Sequence, residues 1–132
     1  MSLATATETV GQPPAYIVRA ATALTTSYVA TNHMPTNGRK WVNLVCVGDS
    51  LGFATISINL EGSLDGTLFD EIPVQDNTYV STVTLANTLS ASAARISVRA
   101  PVGAWVFVRA SVKGAGGSTA GTLAVTGFTT ND

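Results

Sequence analysis

Residues 53–61, Phe-Ala-Thr-Ile-Ser-Ile-Asn-Leu-Glu, alternate apolar and polar side chains. A period of two is the mark of a strand with one buried face, because successive Cβ atoms point to opposite sides of a sheet. The pattern predicts Ala54, Ile56, Ile58 and Leu60 facing inward and Thr55, Ser57, Asn59 and Glu61 facing outward. No helical period of 3.6 competes with it.

The same period runs outward in both directions. Upstream, Ala15–Ala20 and Thr25–Thr31 are strand candidates, and so is Arg39–Val47. In the last of these, Val42, Leu44 and Cys46 share one face and Trp41, Asn43, Val45 and Val47 the other, which predicts a central strand covered on both sides. Downstream come Thr78–Leu85, then Ala94–Ala100 with Ile96 and Val98 inward, then Ala104–Val112 with Val106, Val108, Ala110 and Val112 on one face, and finally Thr122–Phe128. Only Leu85–Arg95 has any helical character, at most a short turn in a connection. About eight short strands separated by turn residues predict an all-β chain, an antiparallel β-sandwich or jelly roll. Residues 1–14 are small, polar and Thr-rich and end in Pro13-Pro14. They read as an extended arm preceding one sandwich domain over residues 15–132, because such a composition buries too little apolar surface to fold alone.

The sandwich strand runs into Glu61–Pro73, EGSLDGTLFDEIP, which concentrates Glu61, Asp65, Asp70 and Glu71 in a chain with 11% charged residues. A calcium loop wants oxygen ligands at alternating positions and a late glutamate; these acids are unevenly spaced. A turn accounts for them better. Asp65-Gly66 is a hairpin signal, since both residues tolerate positive φ. Phe69 and Ile72 then read as core residues on the returning strand.

Composition excludes other functions. A net charge of −1 offers no basic face for nucleic acid. No segment reaches the roughly 18 apolar residues of a membrane helix, and the N-terminus lacks the pattern of a signal peptide. His33 is the sole histidine and Cys46 the sole cysteine. One of each falls short of a zinc site or a catalytic triad. His33 reads as an ordinary surface residue, Cys46 as a small buried hydrophobe. No enzymatic activity, metal or cofactor is expected. Lys113–Gly121, KGAGGSTAG, lacks the order of a phosphate-binding loop and reads as a flexible hairpin tip.

The Glu-Gly-Ser-Leu-Asp-Gly-Thr-Leu-Phe run, Glu61–Phe69, resembles the Ser-x-Asp-Gly-x-x-aromatic hairpin of discoidin-like, galactose-binding-like sandwiches. It is also similar to a hairpin in small β-sandwich proteins of tailed-phage virions, where an Arg-x-x-x-Arg strand follows, as Arg95 to Arg99 does here. The arm, the low charge and the Thr/Ala/Gly-rich surface are similar to phage head-decoration (cement) proteins. The resemblance implies a structural virion protein, made in the host cytoplasm, that stabilises the phage head. Its partners would be the major capsid protein or other virion subunits and its own copies, as a homotrimer or other homo-oligomer. Expected contacts are the arm with Gln12, Pro13 and Pro14, the arginines Arg95 and Arg99, and Lys113, Gly116 and Gly117 of the glycine loop. Trp41, Trp105, Phe107 and Tyr79 form either a second core face or an interface. A neck, collar or tail protein is the first alternative. The second is a carbohydrate-binding module for host attachment; sugar contacts in discoidin-like domains lie in loops that do not match, so no ligand residues carry over.

Overall fold

A computed structural model describes residues 3–7, 15–72, 82–86 and 94–131. The chain is all-β, and no helix occurs among the described residues. The strands are β1 (Thr5–Thr7), β2 (Ala15–Ala23), β3 (Val29–Ala30), β4 (Met34–Pro35), β5 (Trp41–Asp49), β6 (Thr55–Ser63), β7 (Asp70–Glu71), β8 (Thr82–Ala86), β9 (Ala94–Pro101), β10 (Phe107–Ala115) and β11 (Thr122–Thr130).

They form two antiparallel sheets. One has the order β1-β2-β11-β5-β9. The other has β10 and β6 at its centre, with β3 and β4 on the outer side of β10, and β7 and β8 on the outer side of β6. The chain crosses between the sheets after β2, β4, β5, β8, β9 and β10. The last strand, β11, returns to lie between β2 and β5. This is the strand order of a jelly roll, two Greek keys folded face to face.

The core lies between the sheets and follows the period of two. Val42, Leu44 and Cys46 of β5 meet Ile56, Ile58 and Leu60 of β6, all essentially inaccessible to water. Burying a side chain of this kind contributes about 1.5–3 kcal/mol, so these six residues of one core cluster help anchor the fold. Burial pushes the Cys46 thiol up to about 12, which keeps it an inert hydrophobe.

Several expectations change at strand ends. Ala54 is exposed because β6 starts after it. Val106 is 48% exposed because β10 starts after it. The expected strand at Thr25–Thr31 shrinks to β3, because Thr25 and Ser27 spend their hydrogen bonds on each other. The outward face of β5 is half-buried rather than covered: β5 is central within its sheet, but the second sheet packs on one side of it only. Within the stretch expected as an arm, Thr5–Thr7 pair with β2, Ala4 is buried, and its N–H donates to the His33 carbonyl at 2.7 Å. Of Leu85–Arg95, Leu85–Ala86 end β8 and Ala94–Arg95 begin β9; residues 87–93 lie outside the described residues.

Candidate interaction surface

One end of the sandwich gathers three loops: 36–40 before β5, 64–69 between β6 and β7, and 102–106 before β10. The register of β6 on β10 brings the last two together, with Ser63 opposite Phe107.

Loop 64–69 is built by its own side chains. Ser63 Oγ accepts from the N–H groups of Asp65 (3.2 Å) and Gly66 (2.8 Å) and donates to Asp65 Oδ1 (3.0 Å). Asp65 Oδ1 also accepts from the N–H groups of Thr67 (2.8 Å) and Leu68 (3.0 Å). These bonds favour the charged form, so the two backbone donors and the Ser63 hydroxyl hold the Asp65 carboxyl below its ordinary value. The turn reading of this stretch therefore has its mechanism: Asp65 spends its acceptor on backbone. Positive φ falls at Gly66 (80°) and not at Asp65.

The side chains that bind the turn leave its leucines outside. Leu64 is 66% and Leu68 74% exposed. Beside them Val106 is exposed too, and its N–H donates to the Ser63 carbonyl at 3.0 Å. Trp105 packs between this loop and the core. Its ring lies against Gly62, where a Cβ would come within 2.4 Å of it, and Thr36 Oγ1 donates to its carbonyl at 2.6 Å. Open grooves flank Trp105, one toward Leu64, Leu68 and Asp70, the other toward loops 36–38 and 103–107. Exposed leucines and a valine on two hydrogen-bonded, neighbouring loops make this end a candidate interaction surface.

A polar cluster on the outer face of the second sheet supports the loop from below. Glu61 Oε1 accepts from Arg109 Nε (3.2 Å) and from Ser111 Oγ (2.9 Å). Arg109 lies over the Phe69 ring at 3.8 Å, so Phe69 belongs to this outer face rather than to the core; Ile72 is buried as expected. His33 sits between Phe69 (5.8 Å) and Phe107 (5.2 Å), half-buried rather than on the surface. Burial, with the like charge of Arg109, pushes its pKa down. His33 Nδ1 has no hydrogen-bond partner. The cluster is bound to itself, and its chemistry is to clamp the loop.

The expected contact residues are scattered. Arg99 lies on the edge strand β9, exposed, with its guanidinium 4.2 Å above the Trp41 ring. Arg95 is on the same strand, opposite Val47. Lys113 belongs to β10 rather than to a loop, 4.8 Å above the Tyr28 ring. Gly116 and Gly117 follow at the opposite end of the sandwich, with φ of 69° and 65°. Gln12, Pro13, Pro14 and Tyr79 lie outside the described residues. The exposed apolar residues Leu64, Leu68 and Val106 are not among the expected contacts. Their signal is in the sequence all the same: a leucine on each side of Asp65-Gly66 has no strand to bury it.

No family model matches the sequence, and no curated protein matches it. Among solved structures the chain is similar to the SPBc2 prophage-derived protein YomS, at 11% identity and a TM-score of 0.59 over 93% of this chain and 96% of that one. At that identity the likeness speaks to the fold: a jelly roll of the same extent. A chain from Bacillus endospore appendages, a family of disulfide-linked pili, aligns at 11% identity with a TM-score of 0.42 over 88% of this chain and 87% of that one, too distant to bear on the argument.

Proposed function

We propose that this protein is a structural component of a tailed-bacteriophage particle, and that it acts as a decoration or cement protein on the head. The observation that carries the reading is the exposure of Leu64, Leu68 and Val106 on a loop locked by Ser63 and Asp65. A rigid apolar end suits docking onto another protein surface. The likeness in fold to a prophage-derived protein of the same extent supports a phage setting, although a fold by itself does not assign a function. The sparse charge, 11% of residues, lowers the cost of desolvating the faces in an assembly. Cement of this kind works by mass action: binding to the assembled shell and not to its parts shifts the equilibrium toward the shell.

The test is to add purified protein to heads that lack it and, separately, to isolated tails, and to measure occupancy by electron microscopy. Occupied heads whose decoration is lost with Leu64→Ser and Leu68→Ser support the proposal. Binding to tails alone moves the protein to the neck or tail, and binding to neither overturns the reading.

A further inference from the structure

The loop end is charged unevenly. On the margin formed by the second sheet, exposed Asp65 and Asp70 alternate with the two leucines, residues 63–71 contain no Lys or Arg, and the Arg109 guanidinium over Phe69 is paired with Glu61. On the margin formed by the first sheet, Arg39 and Lys40 lead into β5 and Arg99 lies near the end of β9, while residues 36–41 and 99–106 contain no Asp or Glu. Backbone bonds fix that second margin. The Lys40 N–H donates to the Thr130 carbonyl at 3.1 Å, and the Val102 N–H to the Lys40 carbonyl at 2.8 Å. Trp105 and Val106 lie between the margins. One surface thus carries an acidic rim, an apolar middle and a basic rim, in that order.

Such a surface is complementary to itself. A two-fold axis through the apolar middle places the acidic rim of one copy on the basic rim of the other, and does so twice, since in a two-fold contact residue i meets j and j meets i. An apolar centre enclosed by paired polar residues is the ordinary anatomy of a protein interface. The opposite end of the sandwich has no such complement, because residues 50–54 and 116–121 contain no charged residue. We propose that the loop end is a two-fold self-association surface. Leu64, Leu68 and Val106 of two copies meet beside Trp105, and Asp70 of each copy faces Lys40 of the other. The inference claims the leucines that the proposed function places against the head, so where both hold, loss of decoration with Leu64→Ser and Leu68→Ser reports loss of the dimer; the inference itself does not depend on a place in a phage particle.

Sedimentation velocity of the full chain, from micromolar to near-millimolar concentration, tests it. The expected result is a monomer–dimer equilibrium weakened by salt, as rim charges are screened. Leu68→Lys removes the burial of one leucine per copy and is expected to raise the dissociation constant about tenfold or more. Asp70→Lys and Lys40→Asp are each expected to weaken the dimer. Combined in one chain they restore it, because the rims exchange sign and still match. Thermal transitions equal to the parent's show that the variants fold. A parent that stays monomeric at the highest concentration overturns the inference, as does a dimer insensitive to Leu68→Lys, or a combined variant no tighter than the single ones. A monomer that still decorates heads overturns this inference alone; a dimer that binds no particle overturns the particle assignment alone.

Discussion

The two ends of the sandwich solve the same problem in opposite ways. At the far end, the turns 50–54 and 116–121 are fastened backbone to backbone. The Gly52 N–H donates to the Ala120 carbonyl and the Ser118 N–H to the Gly52 carbonyl, each at 3.0 Å. Their apolar residues go inward, with Leu51 and Phe53 both 1% exposed. At the near end, side chains of Ser63 and Asp65 make the turn, and Leu64 and Leu68 stay in solvent. A place on a loop therefore does not force a leucine outward in this fold. The near leucines are exposed because the local hydrogen bonds hold them there, and that is why the proposed contact is placed at the near end.

The largest effect should come from the far end. Gly117 has φ 65°, and a Cβ there would lie 2.2 Å from the Gly52 carbonyl oxygen. Backbone has to move to admit it, in a conformation that already disfavours a side chain. Gly117→Ala is expected to cost about 3 kcal/mol in urea denaturation. Leu64→Ser or Leu68→Ser should change stability by less than about 0.5 kcal/mol, as exposed positions do. Equal costs at both ends would break the contrast, since it would mean that the near leucines are part of the packing.

Next is the clamp beneath the near loop. Glu61→Ala strips the acceptor shared by Arg109 and Ser111, whose bonds measure 3.2 and 2.9 Å. Side-chain exposure of 21% for Arg109 and 17% for Glu61 lets water recover part of the loss. The expected cost is about 1–2 kcal/mol, below that of breaking a fully buried pair. Hydrogen exchange should show faster exchange at Thr67 and Leu68 and none of that increase at Gly52 or Ser118. Uniform acceleration at both ends would show that the cluster stabilises the whole sandwich and not the loop.

The contrast also explains what was legible in the sequence. Within strands the period of two placed Ile56, Ile58, Leu60, Val108, Ala110 and Val112 correctly, since a pleated strand leaves no other choice of face. The same rule failed at Ala54 and Val106, because periodicity does not say where a strand stops. Phe69 read as core, yet Arg109 on a strand distant in sequence draws it to the outer face. The Ser63–Gly66 turn was legible because its chemistry is local. The candidate surface was not, because it is formed by three loops that only the jelly-roll topology brings to one end. Arg99 and Lys113 each lie over a ring of their own chain, Trp41 and Tyr28, contacts between strand neighbours that periodicity does not reveal.

A smaller effect distinguishes the turn's charge from its shape. The Asp65 carboxyl titrates below its ordinary 3.8 in the folded chain. The stability it contributes is present above that value and is lost as pH falls through the folded pKa. Asp65→Asn keeps an acceptor oxygen and removes only the charge. It should lower stability slightly at neutral pH and match the parent at low pH, where both are neutral. A difference that persists in acid would trace to the geometry of the turn instead.

The smallest effect lies under the same loop. His33 is packed between Phe69 and Phe107, close to the point where Gly66 crosses over it. Its folded pKa lies below the ordinary 6.5 because burial and the neighbouring Arg109 disfavour the cation. Between those two values the unfolded chain binds a proton that the folded chain refuses, so stability falls as pH is lowered from 6.5 toward the folded pKa, and levels off below it. The far end contains no histidine. Amide exchange at Thr67 and Leu68 should therefore rise as pH drops through this window, after correction for the intrinsic pH dependence of exchange, while Gly52 and Ser118 hold steady. His33→Phe should abolish the difference and leave an aromatic stack in place. If the pH response survives that substitution, the sensitive group is not His33, and the near end is held by charge alone.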